Sequence, residues 1–96
     1  MKYILFLNKC WGVDFVLGKR MKAEDIEFDY VSLFEGDLIK NKKLYKKYGI
    51  RTTPVLLMLD NGDISDKLVT VNEIVEELKK LKENEQNIEI SLGGEA

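Results

Sequence analysis

Cys10 is the one cysteine in a chain of 96 residues that has no histidine. A thiolate attacks disulfides, but an ordinary cysteine titrates at about 8.5 and needs a lowered pKa to react at neutral pH. Cys10 stands between an apolar run, Tyr3-Ile4-Leu5-Phe6-Leu7, and a stretch with helical spacing. A cysteine at such a helix start meets unpaired backbone N–H groups and the positive end of the helix dipole, and both favour the thiolate. Lys9 adds a neighbouring positive charge, Trp11 offers an apolar contact for a substrate peptide, and Gly12 leaves room for a partner's backbone. Plainer roles stand beside these. A lone cysteine also serves as a small core side chain or as a crosslink between two chains, and Trp11 also serves to pack on its own domain.

Other chemistry is excluded by composition. One cysteine forms no internal disulfide, and the lack of histidine removes Cys/His zinc sites, nucleophile–histidine triads and imidazole acid–base catalysis. No metal or cofactor is expected. A second charged feature remains. Between Leu38 and Leu59 there is no acid, while Lys40, Lys42, Lys43, Lys46, Lys47 and Arg51 are all basic. This is either a solvated helix face or a patch that receives an acidic partner or small anion.

These residues need a scaffold, and the hydrophobic pattern predicts one. Tyr3 to Leu7 reads as a buried strand. Over Cys10 to Lys22, Val13, Val16, Leu17 and Met21 recur on one helical face, which predicts a core role for Val13. Ile26, Phe28 and Tyr30, with Val31 and Leu33, read as a second strand. Asp37 is placed to cap a helix over Leu38 to Tyr48, with Leu38, Leu44, Tyr45 and Tyr48 as its apolar positions. Pro54 to Leu59 is apolar at every position, as a central strand requires, and proline is tolerated there only at the first place. Asn61-Gly62 marks a hairpin turn into a return strand over Ile64 to Val69. Thr70 and Glu73 form a capping box for a last helix buried at Ile74, Val75, Leu78 and Leu81.

The order β-α-β-α-β-β-α predicts one α/β domain over residues 1–82. It has a four-stranded mixed sheet with helices on both faces, parallel across the two helical connections and antiparallel across the hairpin. Residues 83–96 are polar and predict a tail, or a short strand at 88–92 where Ile88, Ile90 and Leu92 alternate with Glu89 and Ser91. The net charge of −2 does not favour nucleic acid. No apolar run approaches the ~20 residues of a membrane span. The first residues lack the small-residue cleavage site of a signal peptide. A cytoplasmic protein without membrane or nucleic-acid partners is expected.

This order resembles the minimal thioredoxin-like fold. Lys47-Tyr48-Gly49-Ile50-Arg51-Thr52-Thr53-Pro54 is similar to the segment that leads to the cis-proline of thioredoxins, and Val55 to Asp63 is similar to the strand and hairpin that follow it. Cys10 stands where the family carries Cys-x-x-Cys, forty-four positions before Pro54. The resemblance covers roughly residues 2 to 82. It implies a cis bond before Pro54, a Thr53 whose backbone pairs with a substrate chain, and a binding face formed by Trp11, Gly12, Arg51, Thr53 and Pro54 around the catalytic Cys10.

The departures from the family narrow the activity. Val13 occupies the place of the resolving cysteine, the first strand has no buried acid, and Thr70 stands where a glycine is usual. The lack of an added N-terminal strand and helix is closer to glutaredoxins, yet their Gly-Gly-x-Asp and the Cys-Gly-Phe-Ser of the iron–sulfur monothiol type are both missing. The resemblance therefore implies a monothiol thiol–disulfide oxidoreductase. It would act on protein or small-molecule disulfides, with an external thiol such as glutathione as co-substrate. The alternative is a non-catalytic thioredoxin-like module that binds a protein partner.

Overall fold

Two strands with apolar side chains on both sides organise the molecule. The computed structural model describes residues 1–9 and 12–95, with side chains described as far as residue 84. The described residues form β1 (Lys2–Phe6), α1 (Gly12–Ala23), β2 (Tyr30–Val31), α2 (Leu38–Lys47), β3 (Val55–Asp60), β4 (Asp63–Leu68) and α3 (Val71–Glu95). The fold is α/β, with three helices on a four-stranded mixed sheet of order β2-β1-β3-β4.

Successive strand residues point to opposite faces, so β1 and β3 feed two cores. Leu5, Leu7 and Leu56 turn to one face and pack with Leu17 and Met21 of α1 and Ile74, Val75 and Leu78 of α3. Phe6, Val55, Leu57 and Leu59 turn to the other and pack with Tyr45 of α2, the Phe6 and Tyr45 rings meeting edge-on at 4.9 Å between centroids. Burying each such side chain stabilises the fold by roughly 1.5–3 kcal/mol.

Strand direction corrects one expectation. β1 and β2 are parallel, with Leu5 opposite Tyr30, but β1 and β3 are antiparallel, with Phe6 opposite Val55 and Lys2 opposite Leu59. The connection through α2 joins β2 to a strand that is not its neighbour, so the rule for parallel crossovers does not bind it. β2 is also shorter than expected. Ile26 is buried and Phe28 packs against the core, but only Tyr30 and Val31 pair with β1.

Local end signals hold. Asp37 accepts from Lys40 N–H at 3.1 Å, and Thr70 Oγ1 accepts from Glu73 N–H at 3.2 Å. Asn61 and Gly62, at φ 52° and 86°, make the two-residue turn between β3 and β4, and their left-handed backbone is the reason for Asn-Gly there.

Two helices differ from expectation. In α1, Val13 and Val16 are 55% and 50% exposed, and the buried stripe is Asp14, Leu17 and Met21. The buried face keeps Leu17 and Met21 but is turned toward Asp14 by roughly 60°, and the Asp14 carboxylate is held inward by the Asn8 N–H at 2.7 Å. In α3, the backbone stays helical to Glu95, where a polar tail or a strand at 88–92 is expected; the helix takes the place of the strand. Residues 83–92 hold no proline or glycine, and Ile88 and Leu92 are also four apart, the spacing of a helix. Among the described residues, no helix is long and apolar enough to cross a membrane.

Polar contacts tie α1 to α3. Arg20 donates to Asn72 Oδ1 at 2.9 Å, and Glu24 pairs with both Arg20 and Lys79. The Lys79 ammonium, and with it Arg20, holds the Glu24 carboxyl below its ordinary range. Lys82 reaches the Asp25 carbonyl.

The burial pattern predicts a clear contrast in urea denaturation. Leu56→Ala and Leu57→Ala should each cost about 2–5 kcal/mol. Val13→Ala should stay within about 0.5 kcal/mol, whereas a loss there comparable to the leucines would contradict the rotated helix.

Candidate functional site

The end of β1 carries a polar cluster built on Asn8, a residue that reads in the sequence only as the end of an apolar run. An asparagine side chain offers one carbonyl acceptor and two N–H donors, and Asn8 uses both kinds. Its Oδ1 accepts from Leu33 N–H at 2.8 Å and from Ser32 Oγ at 3.1 Å, and it lies 3.3 Å from Tyr45 Oη. Its Nδ2 donates to Thr53 Oγ1 at 3.4 Å. Its backbone N–H donates to Asp14. One half-buried residue thus joins β1, α1, the loop after β2, α2 and the segment before β3.

Each neighbour is itself held. Ser32 is buried, and its Oγ accepts from Phe34 N–H at 3.0 Å. Asn41 of α2 donates to the Ser32 and Glu35 carbonyls at 2.9 and 3.0 Å. Tyr45 Oη lies 2.9 Å from the Val31 carbonyl, to which it donates. Burial is the main cause that pushes the Tyr45 phenol up to about 12; the Asn8 contact opposes the shift and the Asp14 carboxylate adds to it. The tyrosine therefore stays a neutral donor across the physiological range.

The structure brings some of the expected site residues to this cluster. Thr53 is half-buried and bonded to Asn8, Pro54 is buried behind it, and the Thr53–Pro54 bond is cis, as the family resemblance implies. Arg51 is exposed and lines a hollow of about 400 Å³ with Leu33, Lys42, Tyr45, Lys46 and Ile50. Gly12 opens α1 at φ 68°, and no atom lies within 4 Å of where its Cβ would be. Backbone conformation is therefore sufficient reason for glycine there. Cys10 and Trp11 lie outside the described residues. The positions on either side of them are fixed, since Asn8 and Asp14 are bonded to each other across the Lys9–Val13 segment. The Lys9 ammonium sits 4.4 Å from the centre of the Tyr30 ring.

The polar members Asn8, Asp14, Ser32, Asn41 and Tyr45 of this cluster escape sequence reasoning as site residues. Asp14 is 6% exposed, so the domain has a buried acid, carried by α1 and not by the first strand. Its one sequence signal is an acid in the first turn of a helix, which is common on exposed helices as well.

The chain matches no protein-family model and no curated protein sequence.

The raised Tyr45 pKa sets a pH dependence. A phenol that ionises near 12 folded and near 10 unfolded contributes stability in full below pH 10, and that contribution is lost as pH rises from 10 through 12. The loss should be on the order of 2 kcal/mol. Tyr45→Phe should flatten this part of the stability–pH curve relative to the parent protein, as read by denaturation at stepped alkaline pH. An unchanged slope would count against the buried phenol.

Proposed function

We propose that this chain is a thioredoxin-like single-thiol protein that exchanges disulfides through Cys10. The observation that carries the reading is the Asn8–Thr53 hydrogen bond. It ties the strand end that leads into Cys10 to the residue before Pro54, so the two segments on which a thioredoxin-like site depends meet at one point. The sheet order β2-β1-β3-β4, with β1 parallel to β2 and antiparallel to β3, is compatible with that family's layout.

In the reaction proposed, the Cys10 thiolate attacks a disulfide R–S–S–R′. A bond forms between Cys10 Sγ and the R sulfur, the S–S bond breaks, and R′–S⁻ leaves and takes up a proton. Val13 supplies no second thiol, so an external thiol must resolve the product. Glutathione fits that role by the resemblance. Its thiolate attacks the R sulfur, becomes joined to R as a new disulfide, and restores the Cys10 thiolate. The external thiol's proton ends on R′. One disulfide has been exchanged for another, and a second thiol equivalent completes the reduction. The substrates would be protein or small-molecule disulfides, and a reducing compartment such as the cytoplasm would supply the thiol.

A second reading, a non-catalytic module that holds a protein on the face around Trp11, Arg51 and Thr53, draws on Val13. Its half-exposed side chain gives the first turn of α1 an apolar surface in place of a resolving thiol.

Oxidised glutathione should give a Cys10 mixed disulfide visible by intact mass, together with glutathione-dependent reduction of a small disulfide. Cys10→Ser should abolish both and Val13→Ala neither. Val13→Cys should convert the adduct to an internal disulfide. A parent protein that forms no adduct and turns nothing over would leave only the binding reading.

A further inference from the structure

Away from the Asn8 cluster, a groove of about 730 Å³ runs between α2 and the β2 edge of the sheet. Lys40, Leu44 and Lys47 line its helix wall, and Glu27, Asp29 and Val31 line its strand wall. Val31 packs with the core on the α2 side while Phe28 and Tyr30 pack with the other core. The period of two along an extended chain then puts Glu27 and Asp29 on the α2 side with Val31. Anions on one wall thus face cations on the other. Among the described residues, these four charges form no ion pair within 4.0 Å, and the pairs present lie at the C-terminal end of α1, between that end and α3, within α3, or between Asp25 and Lys82.

The strand wall is also an open edge. β2 is the outermost strand, and its inner side is used: the Val31 carbonyl accepts from Leu7 N–H at 3.0 Å. Because backbone groups alternate along a strand, the N–H and C=O of Tyr30 point outward, as do those of Phe28 if the extended run is continued. A charged edge strand is ordinarily a device against pairing. Here the acids of the edge are matched by the lysines of the helix beside it, and a patch bearing both signs is self-complementary across a two-fold axis.

We infer that two copies of this chain pair antiparallel through the outer edges of β2, so that each copy's Glu27 and Asp29 meet the partner's Lys40 and Lys47. The pairing joins two four-stranded sheets into one and satisfies the outward groups of Tyr30. It uses neither the Asn8 cluster nor Cys10, and stands or falls apart from the thiol reading.

Sedimentation of the full chain at low salt, up to about millimolar concentration, should show a dimer that weakens as salt rises. Lys40→Glu with Lys47→Glu should weaken dimerisation about tenfold or more, and Glu27→Lys with Asp29→Lys should do the same. All four together exchange the signs of the two walls and should restore the dimer, a result that misfolding does not produce. Hydrogen exchange at the Tyr30 amide should slow with rising protein concentration. A chain that stays monomeric, a dimer indifferent to both pairs of reversals, a quadruple variant no better than either pair, or a Tyr30 amide unaffected by concentration would each overturn the proposal.

Discussion

Asn8, through its side-chain amide and its backbone N–H, is the residue on which the arrangement at the end of the sheet depends. Its partners are six to forty-five positions away in sequence, on both sides of the sheet. An aspartate in its place loses the donor to Thr53, and a leucine loses every side-chain contact, keeping only the backbone N–H that donates to Asp14. Removing the amide leaves the Leu33 N–H and the Ser32 hydroxyl without their acceptor, at roughly 1–3 kcal/mol for each group that stays out of water. Because the cluster is partly buried, its hydrogen bonds are electrostatically stronger than they would be in water. Cys10 is two positions beyond this anchor in sequence, and the helix that follows is held to the anchor through Asp14.

That constraint explains why two features belong together. Asp14 is drawn inward, so α1 presents Val13 and Val16 to solvent. Tyr45 is drawn toward Asn8 and Val31, so α2 lies over β1 and β2 with Lys40 and Lys47 on the side of the open edge. A single polar anchor thereby sets both the exposed face of α1 and the lysine wall of the groove behind it.

Much of the scaffold was legible because its signals are local. The apolar run after Pro54 requires burial on both faces, and β3 is central. Asn61-Gly62, Asp37 and the Thr70–Glu73 pair act within four residues; the first two work as their chemistry predicts, and Thr70 caps the Glu73 N–H while the Glu73 carboxylate meets the Thr70 hydroxyl in place of its backbone N–H. What escaped depends on distant partners. The rotation of α1 follows from one backbone N–H at Asn8. The direction of β3 is set by its pairing with β1, which no property of the α2 connection reveals. Ile26, Phe28 and Tyr30 alternate like a long strand but find their burial in packing, with little pairing. At 88–92, positions two and four apart are both apolar, so the strand pattern and the helix pattern coincide. Of the candidate site, Thr53, Pro54 and Arg51 came from a family resemblance that their neighbouring residues carry. Asn8, Asp14 and Tyr45 had no comparable signal, because a polar residue closing a strand, an acid in a first helical turn and a tyrosine on an apolar face are each ordinary alone.

The central claim is that Cys10 is a thiolate nucleophile near neutral pH, and the rate of its alkylation by iodoacetamide across pH 5 to 10 tests this most directly. The account predicts a midpoint below 7.5, about one unit or more under the ordinary cysteine value. A midpoint at about 8.5 or above would contradict it.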